Sequence, residues 1–284
     1  MEAFDKILIR SEGPENYVLA NLIKTKIINK TIIDLEINQR SRYRNNKFGF
    51  DLIKENLGNI KVQNVFVCGK NTYIELFNKL KTFYLELIPR GTGVFKGFIP
   101  KEWCVNFKLN DDSNLCFCDE KNYGLLKVID ENSFIERTSS ILFDPLDSSK
   151  EYNFKSIKNH IKKSKCLAAS LLNDRVFPGI GIYLRSEILY HAKMFPYKIT
   201  THMKDDEIKR LLESIRYVYK LSCDSNGIIN QIYDESNIIN QSFFNKCNVF
   251  YKKTDSLGNR VILSIRPEDS RTVFFVKEIQ GYDE

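Results

Sequence analysis

Residues 171–196, LLNDRVFPGIGIYLRSEILYHAKMFP, carry the strongest structural signal in the chain. They predict the end of one helix, a glycine-rich turn at Gly179 and Gly181, and a second helix with one apolar face. That face follows the 3.6-residue period through Leu184, Ile188, Leu189 and Ala192. Because the first N–H groups of a helix have no partner within it, we expect the second helix to offer an anion-binding end.

Composition limits the class of protein. The chain has 284 residues, 43% of them hydrophobic, which is enough for two folded domains. A formal net charge of +7 permits a polyanionic partner without requiring one. The seven cysteines are odd in number and scattered, so no disulfide framework is expected and a reducing, intracellular compartment is the working hypothesis. The sequence shows neither a signal peptide nor an apolar run of membrane-spanning length, and no membrane partner is expected.

The hydrophobic period changes once along the chain. Up to Ile129 the pattern is mostly strand-like after one early helix, whereas helical periodicity dominates beyond Phe143. A tail from Asn248 to Gln280 returns to strand character, with a turn near Gly258. The sequence therefore predicts an α+β protein with a β-rich domain at residues 1–140 and a helical domain at residues 150–284.

The glycine-rich stretch resembles the helix-two-turn-helix element of the formamidopyrimidine-DNA glycosylase and endonuclease VIII family. Six positions match the pattern of that element: Gly179, Gly181, Glu187, Leu189, Ala192 and Pro196. Two positions depart from it, because Ile182 stands where the family usually has Asn and Leu184 where it has Tyr. The resemblance implies a β-sandwich-like N-terminal domain with a flanking helix and a C-terminal helix-two-turn-helix domain.

Four further segments repeat this resemblance in the order of the family. They are Ser11-Glu12-Gly13-Pro14-Glu15 for the N-terminal signature, Gly69-Lys70 for the glycine-lysine loop, residues 119–124 (DEKNYG) for an Asp-Pro-Arg-Arg-Phe-Gly segment, and residues 271–280 for the second strand of the zinc finger. Together the five segments cover nearly the whole chain.

The finger lacks the metal ligands that the family pattern carries. Val276 and Ile279 occupy the places of the final C-x-x-C pair, so the chain resembles the zincless-finger variant, and neither zinc nor another cofactor is expected. Without a metal, the hairpin needs apolar contacts with the helical domain. We expect these from Phe274 and from one alternating face of Val261, Leu263 and Ile265.

The resemblance implies chemistry on a nucleotide flipped out of duplex DNA, in which a free N-terminal proline amine attacks C1′ and the next glutamate assists. In this chain Ser11 takes the place of the proline, and ten residues precede it, so its nitrogen is an amide and no nucleophile. Three alternatives remain open. Cleavage after Arg10 would expose the Ser11 amine as the nucleophile, or Lys70 would act as the nucleophile instead. In the third alternative the chain keeps the fold and has lost the lyase reaction. Glu12 is the expected proton donor.

The candidate DNA-binding residues match the family pattern better than the candidate nucleophile does. The resemblance assigns phosphate contacts to Lys70 and Arg271, although a solvated surface cation is the alternative for each. Gly179 and Gly181 form the binding turn. Tyr123, with Lys121 beside it, stands at the position of an aromatic wedge, the alternative being a tyrosine packed in the β domain.

A second wedge position of the family falls near residues 89–93, where Arg90 and Thr92 are candidates. The sequence thus predicts a DNA-binding protein of base-excision-repair type, similar to a DNA glycosylase/AP lyase, acting in the nucleus or on viral or cytoplasmic DNA. The alternative is a catalytically inactive member that serves as a DNA-binding or scaffolding subunit.

Overall fold

The structure is a computed structural model that describes residues 12–45, 47–147, 152–228 and 242–281. Within these ranges the chain divides into two units, which meet in sequence between Ser139 and Ser140. The predicted domains, 1–140 and 150–284, stay a prediction, because both include residues outside the described ranges.

The N-terminal unit is built on a single antiparallel sheet. Its elements are α1 (Gly13–Ile27), β1 (Thr31–Ile37), α2 (Asp51–Lys54), β2 (Ile60–Cys68), β3 (Asn71–Phe77), β4 (Thr82–Ile88), β5 (Val94–Lys96), β6 (Val105–Leu109), β7 (Asn114–Cys118), β8 (Leu125–Asp130) and α3 (Glu131–Ser139). The eight strands follow the order β5-β7-β6-β1-β2-β3-β4-β8. One core collects side chains from strands near both ends of this order, including Phe117 of β7 and Leu85 of β4, as in a sandwich. The sandwich-like prediction is confirmed in this form.

Helix α1 is the early helix that the sequence predicts. Pro14 lies in its first turn, and the Glu15 Oε2 atom accepts the Glu12 N–H at 2.7 Å, one half of a capping box. The helix buries Leu19 and Ile23, and it packs mainly on β2.

Helix α3 is an element that the sequence analysis missed. It follows β8 without a loop, and the Asp130 carboxylate accepts the Ser133 N–H at 2.7 Å at its start. Its Phe134 ring stacks on Tyr84 at 4.0 Å between centroids and also contacts Tyr73. The helix therefore covers the sheet face opposite the main core.

The C-terminal unit is mostly helical. Its elements are α4 (Phe154–Lys163), α5 (Leu167–Ser170), α6 (Ile182–His191), α7 (Asp205–Asp224), β9 (Val261–Ser264), β10 (Val273–Val276) and α8 (Lys277–Gln280). Helix α6 lies in the core, and its predicted apolar face, formed by Leu184, Ile188, Leu189 and Ala192, is fully buried. Strands β9 and β10 pair into the predicted C-terminal hairpin.

The predicted buried face of that hairpin is wrong in part. Leu263 is 40% exposed and Ile265 is 61% exposed, whereas Phe274 is buried as expected. The reason is the order of layers, since all four residues of β10 are buried and β10, rather than β9, lies against α6. Strand β9 forms the outer strand of the pair.

Two features concern compartment and membrane. All seven cysteines are free thiols. Among the described residues, the helices include none of the length and apolarity needed to cross a bilayer.

Truncation of the two hairpin strands is expected to have unequal effects. Phe274→Ala empties a buried ring site and should lower the free energy of unfolding by about 3–5 kcal/mol. Leu263→Ala, the matched control on β9, should change it by about 0.5 kcal/mol or less. Urea unfolding measures both, and equal losses would contradict the layer order.

Candidate functional site

The start of α1 and the Gly69–Lys70 turn are joined through Asn16. The Asn16 N–H donates to the Glu12 carbonyl oxygen at 3.4 Å, and its side-chain Nδ2 donates to the Lys70 carbonyl oxygen at 2.8 Å. Asn16 and Glu12 are both buried, and Lys70 is half-buried. Ser11 lies outside the described residues. The N-terminal unit thus brings two of its candidate catalytic residues, Glu12 and Lys70, onto one buried asparagine.

The strand positions that flank the turn hold it in place. Gly69 has a φ of 65°, a conformation that favours glycine, and Cys68 pairs with Asn71 on either side of the two-residue turn. The Asn71 Nδ2 atom donates to the buried Glu86 carboxylate at 3.3 Å. Lys70 therefore stands on a closed hairpin.

Glu86 is a buried carboxylate with partners on three elements. Its oxygens accept the Tyr73 hydroxyl at 2.8 Å and pair with the Lys127 Nζ atom at 3.1 Å and the Arg137 guanidinium at 3.3 Å. Burial raises the pKa of Tyr73, so its hydroxyl stays protonated and donates. This network fastens β3, β8 and α3 to β4 directly behind the Lys70 hairpin.

The segment between β7 and β8 exposes the predicted wedge. Tyr123 is 57% exposed and Lys121 is exposed, so the alternative of a tyrosine packed in the β domain is wrong. The Arg42 guanidinium holds the backbone beneath them, donating to the Asn122 carbonyl oxygen at 3.0 Å and to that of Gly124. Sequence reasoning missed Arg42, since nothing in its local pattern points to a loop some 80 residues away.

Residues 89–93 lie beside this segment, and we call the two segments the paired loops. The Thr92 hydroxyl donates to the Asp119 carboxylate at 2.6 Å. A Cβ atom on Gly124 would lie 2.9 Å from the Gly93 Cα atom, so only glycine permits this approach. Of the two second-wedge candidates, Thr92 is thus engaged in holding the loops together, and Arg90 stands exposed at the tip.

In the C-terminal unit, the glycine turn precedes α6 as predicted. Gly179 has a φ of 84°, and Gly181 is the N-cap of the helix. The Gly179 N–H donates to the Asp174 carboxylate at 3.3 Å, so a side chain of the same unit binds the backbone of this turn. Ile182, the departure from the family pattern, packs against the core.

Arg271 lies in the segment between β9 and β10. It is exposed, and its guanidinium makes no ion pair within the described ranges of the chain. Its backbone is held, because the Asp269 Oδ1 atom accepts the Arg271 N–H at 2.9 Å. Of the predicted binding residues, the C-terminal unit carries this arginine and the two turn glycines, and the N-terminal unit carries the others.

Sequence reasoning missed a second group, the polar side chains of α6. Arg185 is fully buried, and its guanidinium pairs with the Asp269 carboxylate at 2.6 Å and donates to the Thr272 carbonyl oxygen at 2.6 Å. The Ser186 hydroxyl accepts the Phe274 N–H at 3.2 Å. The usable signal was a charge inside a helix with apolar residues on several sides, which requires a buried partner.

Glu187 binds the chain that leads into the hairpin. Its carboxylate accepts the N–H groups of Asn248, Val249 and Phe250, each at 2.8 Å. Burial raises the pKa of Glu187, and these hydrogen bonds oppose that rise. The matched family position therefore has a structural role in this chain. Among the described residues, no group of His, Cys, Asp and Glu has the arrangement of a metal site.

The chain is similar to formamidopyrimidine-DNA glycosylases in sequence and in fold. No family model matches the chain. Curated relatives include the formamidopyrimidine-DNA glycosylase of Rickettsia canadensis, 27% identical over 219 residues (76% of this chain and 79% of the relative). That of Prochlorococcus marinus is 28% identical over 197 residues, covering 66% of this chain and 67% of the relative.

Solved structures share the fold. The complex of Lactococcus lactis Fpg with DNA containing an abasic site has a TM-score of 0.77 at 19% identity, over 96% of this chain and 100% of that one. A complex of the same bacterial protein with THF-DNA and an inhibitor has a TM-score of 0.78 at 20% identity, over 95% and 100% of the two chains.

The Glu187 contacts generate a stability prediction. In Glu187→Gln, an amide –NH₂ group faces backbone N–H donors, so at least one buried donor loses its acceptor. We expect a loss of about 1–3 kcal/mol in the free energy of unfolding. Glu213→Gln, an exposed change on α7, is the control and should fall within about 0.5 kcal/mol of the parent. A Glu187→Gln protein as stable as the control would show that the three bonds do not matter.

Proposed function

We propose that the chain is a member of the formamidopyrimidine-DNA glycosylase and endonuclease VIII family, to whose glycosylases it is similar in sequence and in fold, and that it binds duplex DNA and flips a nucleotide out of it, in the manner of base-excision repair. The observation that carries this proposal is the Asn16 bridge, which ties Glu12 to the Lys70 turn within one unit. Asn16 binds the backbone carbonyl oxygens of both residues, so it joins the two chain segments that carry a carboxyl group and a lysine amine, and this arrangement suits work on a single extruded sugar.

The exposed cations supply the affinity in this proposal. Arg271 and Lys121 extend from held backbone into solvent, where a phosphate neutralises them and releases counterions. Arginine has the forked geometry that matches phosphate oxygens, and lysine acts as a point charge. Gly179 and Gly181 add a turn at which the protein backbone can approach a DNA strand closely.

Tyr123 is proposed to stack in the gap that a flipped nucleotide leaves. Its ring is exposed on a loop that Arg42 and Asp119 immobilise, so little ordering is needed on binding. Stacking of a base on an aromatic ring contributes about 1–3 kcal/mol. Arg90, on the neighbouring paired loop, is the proposed second contact.

For the chemistry, we propose Glu12 as the proton donor to the sugar or the leaving base. The nucleophile is the Ser11 amine after cleavage behind Arg10, or else the Lys70 amine in its unprotonated form. Either amine forms an imine at C1′ as both the bond from C1′ to the base and the bond from C1′ to the ring oxygen O4′ break. The amine gives up two protons, one to the leaving base and one to O4′, and Glu12 passes a proton on in this transfer.

The second candidate function is DNA binding without catalysis. It is favoured by one fact of the sequence, that residues 1–10 precede Ser11 and leave its nitrogen in a peptide bond. Such a member would bind DNA through the same surfaces and serve as a scaffold. In either case the proposed partner is DNA inside the cell, in the nucleus or at a viral or cytoplasmic site.

Removing single phosphate contacts is expected to change the salt dependence of DNA binding. Lys70→Ala and Arg271→Ala should each weaken binding and reduce the slope of log K against log salt by about 0.9. The control is Lys108→Ala, which removes a half-buried lysine of β6 that pairs with Asp112. Titration of a labelled abasic duplex at several salt concentrations gives the slopes. Unchanged slopes in both variants would show that neither Lys70 nor Arg271 contacts a DNA phosphate.

Borohydride trapping on abasic-site DNA separates catalysis from binding alone, because it reduces an imine to a stable crosslink. Trapping by the full-length chain that disappears in Lys70→Ala assigns the reaction to the lysine. Trapping only by a form that begins at Ser11 assigns it to that amine. If neither form is trapped while both bind DNA, the scaffold alternative stands and the lyase proposal fails. Intact-mass analysis of the native protein shows which form exists.

A further inference from the structure

The Arg185–Asp269 ion pair is one of the most deeply buried features of the C-terminal unit. Both side chains are essentially inaccessible, 0% and 1% exposed, and the paired atoms lie 2.6 Å apart. A second guanidinium bond reaches the Thr272 carbonyl oxygen at 2.6 Å, and a third reaches that of Ala168 at 3.3 Å. Since removing two charges from water is costly, the buried pair depends on these additional hydrogen bonds.

Asp269 uses its two oxygens for two different purposes. The Oδ2 atom pairs with Arg185, and the Oδ1 atom accepts the backbone N–H of Arg271 at 2.9 Å. The residue between them, Ser270, has a φ of 53°, an unusual conformation for a residue with a side chain. The buried pair thus fixes the backbone on both sides of Arg271, at Asp269 and at Thr272.

Arg271 itself is the opposite case, because its backbone is held and its side chain extends into solvent. A long side chain loses conformational freedom when it clamps a phosphate, and a fixed Cα position limits that loss. A rigid origin also determines which phosphate along a strand the guanidinium can reach.

We propose that Arg185 and Asp269 are positioning residues, which present Arg271 to a DNA phosphate. This inference rests on the proposed DNA-binding function. The two residues never touch the DNA. They set the place and direction of the cation that does.

The test replaces the ion pair by apolar residues of similar size, Arg185→Met with Asp269→Leu, because such exchanges of buried pairs often preserve the fold. Four proteins are compared: the parent, the apolar pair, Arg271→Ala, and the apolar pair combined with Arg271→Ala. Each is titrated with a labelled abasic duplex over a range of salt concentrations, and circular dichroism verifies its folding.

We expect the apolar pair to reduce the salt slope by about 0.9, as Arg271→Ala does in the parent. We also expect Arg271→Ala to add nothing in the apolar-pair background, since the misplaced cation has already lost its phosphate. The proposal is overturned if the apolar pair keeps the parent slope and Arg271→Ala still lowers it there by the full amount.

A measurement on the parent protein keeps the proposal testable if the apolar pair does not fold. Amide ¹⁵N relaxation should give the Arg271 N–H an order parameter of about 0.85, as in rigid backbone. A value below about 0.6 would show that the buried pair positions nothing. Failure of the DNA-binding proposal looks different, because Arg271→Ala would then leave the parent slope unchanged whatever the relaxation data show.

Discussion

Buried polar groups on α6 need partners, and the C-terminal segment of the chain supplies them. Arg185 requires the carboxylate of Asp269, Ser186 binds the backbone of Phe274, and Glu187 accepts N–H groups that begin at Asn248. Without the segment, each of these side chains would lose hydrogen bonds that it makes inside the core. The hairpin therefore completes the helix as much as the helix supports the hairpin, and no metal site among the described residues shares that task.

The N-terminal unit follows the same rule on a smaller scale. Arg42 holds one of the paired loops through backbone carbonyls, and Asp119 holds the other through Thr92. Glu86 fastens the strands behind the Lys70 turn. In both units, an exposed side chain suited to DNA stands on backbone that buried or half-buried polar groups immobilise. The positions of these exposed side chains are thus fixed by hydrogen bonds of buried and half-buried groups.

The sequence predicts well what depends on local periodicity or local turn chemistry. The apolar face of α6, the C-terminal strand pair and the glycine turn at 179 all follow from such patterns. Alternation alone failed at Leu263 and Ile265, because it cannot tell which strand of a hairpin faces the helix. Long-range polar pairs were missed for a related reason. The residues near Arg185 in the sequence do not indicate that its partner lies 84 residues later.

Native-state hydrogen exchange tests most directly whether α6 and the C-terminal segment form one unit. The amides of β10 and those of α6 should open with the same free energy and converge on the same dependence on denaturant, because neither element is satisfied without the other. If the β10 amides exchange through an opening several kcal/mol less costly than that of α6, the hairpin folds and unfolds by itself, and the account is contradicted.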